Sequence, residues 1–423
     1  MLARVVPARN LPQRKLQMLF KKILPMVLAV CFAAPGFARS KREPPFQHPG
    51  VLVDRAQLDF IKAQVAAKAE PFYKLFLEAE QSEFGDLHYK MSGPPADGVI
   101  ACGSYSRPDI GCHPEDNDAT AAYVQALLWY ITGNHAYAEN AIDIMNAYSH
   151  GLKAYTLSNA PLQAAWSAEK WPRAGEIIRY SDAGWKPADV KAFSKMLTKI
   201  HVPLIYNGGP QNGNWELSMI DGMMGIAVFT NDRRLLDHAA EMWEQRVPAY
   251  YYYEPLDGDH PVPAPRGVSR WVTQRVFNMS VNGIPQEACR DFGHTSFGIA
   301  ATMNAAETAH IQGLKLYESQ EKRLIAGMEF TAYYLLRNPV PPYVCGGHIR
   351  LARAPTFVIG YNEYHNRLGQ AMPYTWQWIE KGVLPNPLPV DQHMMAFEAL
   401  TDYESPGEAY APGEAVGPAK TEK

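Results

Sequence analysis

The sequence predicts an all-α fold, an (α/α) toroid or incomplete barrel of paired inner and outer helices. Three observations predict it. The stretches Ala121 to Thr132 and Leu217 to Phe229 are almost wholly apolar, the pattern of helices enclosed on every side. Each is followed, after a polar break at Gly133-Asn134 or Asn231-Asp232, by an amphipathic stretch, Tyr137 to Tyr148 or Leu235 to Arg246. Strand-like alternation is scarce. Buried helix, short break, amphipathic helix is the signature of two helical layers. No repeat of fixed period appears, which disfavours a solenoid of consensus repeats.

In chain order, Lys21-Lys22, the apolar run Ile23 to Ala34 and the small residues around Gly36-Phe37-Ala38 read as a signal peptide over 1–38, with Met18 the more natural start. The run is too short for a mature membrane span, so the chain is expected in the periplasm or outside the cell. The toroid is expected over 39–403. After an extended entry, Asp54 caps a helix that ends near Pro71, and a second follows to about Gln81. A Gly- and Pro-rich loop runs from Phe84 to Cys112. Further helices are expected from Pro161 to Tyr180, from Lys186 to Ile200, from Gln286 to about Gly313 and from Leu316 to Leu336. Less clear ones follow at Ile359 to Leu368 and around Trp376 to Trp378. Tyr250 to Trp271 is too polar and Pro-rich for core and reads as a lid carrying Tyr251–Tyr253, Arg266 and Arg270. The composition of 404–423 predicts a disordered tail.

The chain has 423 residues and a formal net charge of −3. Loss of 1–38 removes basic residues only and leaves about −9. No basic stripe appears, which excludes the ordinary nucleic-acid binders. No Cys/His spacing matches a zinc site and no cofactor motif is present. The expected partner is an anionic polysaccharide, without stable membrane insertion, bound by a monomer. Cys102, Cys112, Cys289 and Cys345 remain after cleavage, an even number suited to disulfides. Cys102 with Cys112 is the obvious pair, which leaves Cys289 with Cys345; the spacing does not exclude the other pairings.

Polar residues gather where the buried helices start: Asp116–Asp118, Asn212–Asn214, Glu287–His294 and Tyr361–Arg367. In a toroid these ends share a rim, so they are candidates for one cleft. On a helix from Gln286, Arg290, His294 and Phe297 form one stripe. A fixed cation one turn from an imidazole suits an anionic substrate. It is equally consistent with Arg290 paired to Glu287 or Asp291 beside a core histidine.

Two chemistries fit. The first is β-elimination from a uronic acid polymer. An Asn amide and an Arg neutralise the carboxylate so that charge can develop there. A His or Tyr takes the neighbouring proton, and a His or Tyr returns one to the leaving oxygen. The second is glycoside hydrolysis by two carboxylates among Asp118, Glu216, Asp221, Glu287 and Asp291. A non-catalytic glycan-binding protein is the third reading.

Asn212-Gly213-Asn214-Trp215, Gln286-Glu287-Ala288-Cys289-Arg290-Asp291-Phe292-Gly293-His294 and Tyr361-Asn362-Glu363-Tyr364 resemble the motifs of the alginate-lyase-domain polysaccharide lyases over roughly Gln47 to Asp402. The resemblance implies a secreted α/α-toroid lyase acting on alginate, mannuronan or glucuronan, with Asn214 and Arg290 as carboxylate neutralisers. It also implies a His after the Asn and a Tyr two turns past the Arg, where this chain has Trp215 and Phe297. The expected proton carriers are therefore His294 and a tyrosine, Tyr361 first, with Tyr364 and Tyr251–Tyr253 behind it. Asn212, Trp215, Tyr364, His365 and Arg266 are the expected substrate contacts.

Overall fold

Local signals set the first elements. The computed structural model describes residues 44–266, 281–337, 339–352, 356–385 and 397–404. The expected signal peptide, the tail beyond 404, Arg270 and Trp271 lie outside those residues. Strands β1 (Gly50–Val51) and β2 (Val53–Asp54) form a small antiparallel pair. Asp54 then caps α1 (Arg55–Ala66): its carboxylate accepts the Gln57 N–H at 2.8 Å while the Gln57 side chain accepts the Asp54 N–H at 2.7 Å. This reciprocal box satisfies two donors that a helix start leaves open. After α2 (Phe72–Gln81), a three-stranded sheet has the order β4-β3-β5, from β3 (Val99–Cys102), β4 (Asp109–Ile110) and β5 (Ala154–Thr156). Ala101 pairs with Ile110 antiparallel and Ile100 with Tyr155 parallel.

The rest is helical: α3 (Cys112–Thr132), α4 (His135–Gly151), α5 (Ala160–Arg179), α6 (Pro187–Met196), α7 (Val202–Ile205), α8 (Gly213–Thr230), α9 (Arg233–Tyr250), α10 (Glu254–Asp257), α11 (Phe292–Ile311), α12 (Leu316–Leu336), α13 (Val358–Tyr361), α14 (Pro373–Trp378) and α15 (Glu398–Asp402). Successive inner helices pack side by side, α3 on α5, α5 on α8 and α8 on α11. The ring continues through α13 and α15 and closes through α1 back onto α3. Helices α4, α9 and α12 cover α3, α8 and α11 from outside, and α14 packs on α12. This is the toroid that the alternation of apolar and amphipathic stretches predicts.

The inner helices run parallel and in register. Arg173 on α5 donates to Asp221 on α8 at 3.0 Å, and Asn304 on α11 donates to the same oxygen at 3.2 Å. Two turns earlier, the Trp166 and Phe297 rings lie 6.4 Å apart. The N-terminal ends of α5, α8 and α11 therefore share one rim. The entry segment sits at the opposite ends: Gly50 donates to Glu176 at 3.0 Å, Leu52 donates to Thr308 at 3.1 Å, and Gln312 donates to the Gly50 carbonyl at 3.0 Å. Several charges buried inside the ring are paired. Lys170 bonds Asp116, and Arg367 reaches Glu307 and Glu363, each at 2.9 Å. An unpaired ion at that depth would be costly.

The reading of Tyr250–Tyr252 as part of a lid is corrected. Tyr250, Tyr251 and Tyr252 are all fully buried. Tyr251 donates to Thr302 at 3.1 Å, and its carbonyl accepts from Arg323 at 2.6 Å. Their polar tips are satisfied inside the protein, which lets aromatic residues in a Pro-rich stretch serve as core.

Candidate active site

The helix expected from Gln286 begins instead at Phe292. Residues 286–290 form turns, and Asp291 is the N-cap, accepting the His294 N–H at 2.8 Å. Arg290 therefore sits on the turn before α11, so the expected helical stripe through Arg290 and His294 does not form. The turn is tied down from several sides. Cys289 is disulfide-bonded to Cys345, and Cys102 to Cys112. The Phe292 N–H donates to the Arg350 carbonyl at 2.9 Å. We expect the pair Cys289→Ser, Cys345→Ser to lower unfolding free energy by about 2–4 kcal/mol in urea titrations. The same variant should lose activity, because the residue after Cys289 is Arg290.

Asn214 opens the other side of the site. It lies in the first turn of α8, where the Gly213 N–H donates to the Gln286 side chain at 2.9 Å. The Asn214 amide donates to Glu287 Oε2 at 2.6 Å and its backbone N–H to the same oxygen at 3.2 Å. Arg290 Nη1 donates to Glu287 Oε1 at 3.1 Å. One fully buried carboxylate thus joins the two residues expected to neutralise a substrate carboxylate. Burial raises the Glu287 carboxyl above its ordinary range, against the Asn214 hydrogen bonds and the nearby His294 and Arg290 charges. The Arg290 side chain keeps 18% exposure, enough for an outward-facing edge of the guanidinium to meet a ligand.

His294, 30% exposed, is held through Nδ1 by both oxygens of Asp291 at 2.8 Å. That fixes the ring through Nδ1 and leaves Nε2 without a partner among the described residues. Burial works to raise the Asp291 carboxyl, but the His294 ring and backbone hydrogen bonds, with the His294 and Arg290 charges, hold it below its ordinary value. Phe297 stands edge-on to the imidazole at 5.9 Å between centroids.

Tyr250 is the member that sequence reasoning missed as a site residue, and Asp291, weighed there as a hydrolase carboxylate, holds His294 instead. Tyr250 arrives from the end of α9, and its hydroxyl lies 3.3 Å from Glu287 Oε2 and 3.4 Å from the His294 carbonyl. Two glycines admit its ring. A Cβ on Gly213 would lie 2.2 Å from the ring, and one on Gly298 2.1 Å from its oxygen.

The structure brings Asn214, Glu287, Arg290 and His294 together. The other sequence candidates sit elsewhere or are already engaged. Tyr361 and His365 stack on each other at 4.7 Å, and Tyr361 stacks on Trp376 at 5.3 Å. Their shared helical face is thus turned to the outer helix α14. Burial and surrounding acids, Glu380 and Glu329 among them, push the Tyr361 phenol well up. His365 Nδ1 pairs with the Gln370 carbonyl at 2.7 Å, and the fully buried Tyr364 donates to the Tyr317 carbonyl at 3.1 Å. Arg266 shares the buried Glu216 with Arg246, each Nε at 2.6 Å. Asn212 is the N-cap residue of α8, and Trp215 is half-buried against the core.

The carboxylates that a hydrolase would need are occupied. Asp118 accepts from Tyr89 and Tyr148, each at 2.8 Å, and from the Gly93 N–H at 2.9 Å, anchoring the loop before β3. Glu216 holds two arginines, Asp221 holds Arg173 and Asn304, and Asp291 caps α11. Among the described residues no cluster of His, Cys, Asp and Glu could hold a metal, and no helix is long and apolar enough to cross a membrane.

Known proteins share this fold. Residues 111–261 match the family described as Alginate lyase, a span that includes Asn214 and Tyr250 and stops before Arg290. Alginate lyase A1-III from Sphingomonas species A1 superposes with a TM-score of 0.58 at 14% identity, over 85% of this chain and 97% of that one. A tyrosine-to-phenylalanine variant of alginate lyase A1-III complexed with tetrasaccharide superposes with a TM-score of 0.56 at 15% identity, over 86% and 99%. No curated protein sequence matches the chain. Residues 111–261 thus match the alginate lyase family, and the fold around them is shared with the solved alginate lyases.

Proposed function

We propose that this lyase cleaves a uronic-acid polymer, of the mannuronan or glucuronan type, by β-elimination. The observation that carries the reading is the pairing of Asn214 and Arg290 through Glu287, with the part-exposed His294 one turn further on. Asn214 and Arg290 are assigned to the substrate carboxylate, where negative charge grows as the C5 proton leaves. His294 Nε2 takes that proton. The C5–H electrons become the C4–C5 double bond, the C4–O4 bond breaks, and the imidazolium returns its proton to O4. Asp291 holds the imidazole in orientation throughout. The tetrasaccharide held by the A1-III variant supports an oligosaccharide-sized cleft on this fold. The two disulfides support an oxidising compartment, and with the N-terminal pattern we place the protein in the periplasm or outside the cell.

Using one residue as both base and acid carries a stereochemical consequence. In mannuronate and glucuronate, H5 and O4 lie on the same face of the ring; in guluronate and galacturonate they lie on opposite faces. A single imidazole serves the first pair. Ultraviolet absorbance of the unsaturated product should therefore grow on polymannuronate or glucuronan and stay flat on polyguluronate and pectate. Release of reducing ends without absorbance would replace elimination with hydrolysis. Growth on polyguluronate would require a second proton carrier.

A further inference from the structure

We propose that Glu287 is the positioning residue of this site, setting the Asn214 amide and the Arg290 guanidinium at one fixed separation and orientation. The inference rests on the elimination reading and goes beyond it, because Glu287 itself touches no substrate. It is fully buried, so it is not a candidate acid or nucleophile. Its two oxygens divide the work. Oε2 receives the start of α8, through the Asn214 side chain at 2.6 Å and backbone at 3.2 Å, and the Tyr250 hydroxyl at 3.3 Å. Oε1 receives Arg290 at 3.1 Å.

Three consequences follow from donor and acceptor chemistry. An ionised carboxylate only accepts, so the Asn214 side chain must turn its NH₂ toward Glu287. One N–H is spent there and the second remains for the ligand. Arg290 likewise spends a single N–H on Oε1 and keeps the rest of its fork. The link also joins two segments 73 residues apart in sequence, so the spacing between the two neutralising groups is set by one side chain rather than by two independent helix ends. Tyr250 buttresses it, and Gly213 and Gly298 leave the space that Tyr250 needs. Charge develops on the substrate carboxylate only in the transition state, so loss of this alignment falls on kcat more than on KM.

Glu287→Gln keeps the volume but sets an N–H against either Arg290 or Asn214, whichever way the amide turns. On the polymer that wild type cleaves, we expect kcat about 30–100-fold lower with KM within threefold. A cycle with Asn214→Ala gives the readout that a purely structural role would not move. If Glu287 acts by aiming Asn214, the double variant is about as slow as Asn214→Ala alone. Losses that simply multiply, or a Glu287→Gln kcat within threefold of wild type, overturn the proposal. Thermal unfolding shows whether each variant is folded. Should Glu287→Gln not fold, Tyr250→Phe removes one hydrogen bond to Oε2 and leaves the ring in place. Its kcat should then fall about three- to tenfold at constant KM, and an unchanged kcat overturns the proposal by the second route. A wild-type protein that forms no unsaturated ends on any uronate polymer takes the elimination reading down, and this inference with it. An active wild type beside an unaffected variant removes this inference alone.

Discussion

Arg290→Ala is expected to lower kcat/KM on the uronate polymer by about 10³-fold or more, close to 4 kcal/mol of transition-state stabilisation. Two effects add. The substrate carboxylate loses the fixed cation that offsets its developing charge. The buried Glu287 loses the donor on Oε1 at 3.1 Å, and an uncompensated buried carboxylate is costly. The second effect also touches the fold, so the kinetic loss is read beside the thermal midpoint. Arg290→Lys separates the two. It keeps a charge near Glu287 but not the planar fork that holds Glu287 and a ligand together. About 10–100-fold of activity should be lost, with most of the stability kept. Equal activity in Arg290→Lys and wild type would show that the residue is a counter-ion for Glu287 and nothing more.

The same pairing shows what the sequence makes legible. The toroid is readable because Ala121 to Thr132 and Leu217 to Phe229 have no polar face to offer water, and such helices have to be surrounded. The parallel N-terminal rim follows from that topology. The chemistry on the rim is less readable, for local reasons. Asp291 caps α11 and ends the preceding turns, so Arg290 leaves the helix that periodicity assigned to it. Tyr361 and His365 do share a face, as i, i+4 spacing requires, but spacing does not say which neighbour that face meets. Here it meets Trp376 on the outer layer. Tyr250 looks like the end of an ordinary amphipathic helix. Its place beneath the site depends on Gly213 and Gly298, each distant in sequence. The paired carboxylates Asp118, Glu216 and Asp221 look free for hydrolysis until their partners from other helices are seen.

His294→Ala should lower kcat by about 10²–10⁴-fold with KM nearly unchanged, the range for loss of a positioned proton carrier. The ring contributes no cap to α11, since the Asp291 carboxylate takes the His294 backbone N–H at 2.8 Å and keeps it in the variant. The fold should therefore survive and the loss can be read as chemistry. One further measurement ties it to proton transfer. Added imidazole should restore part of the activity of His294→Ala in the space that the side chain leaves. The Asp291 carboxyl that holds the ring is kept below its ordinary range by the His294 hydrogen bonds and the His294 and Arg290 charges, against its burial. Stability from that group is present above the unfolded carboxyl range and is lost only as pH falls through the lowered folded value. A His294→Ala variant with kcat within threefold of wild type would move the proton chemistry to another group.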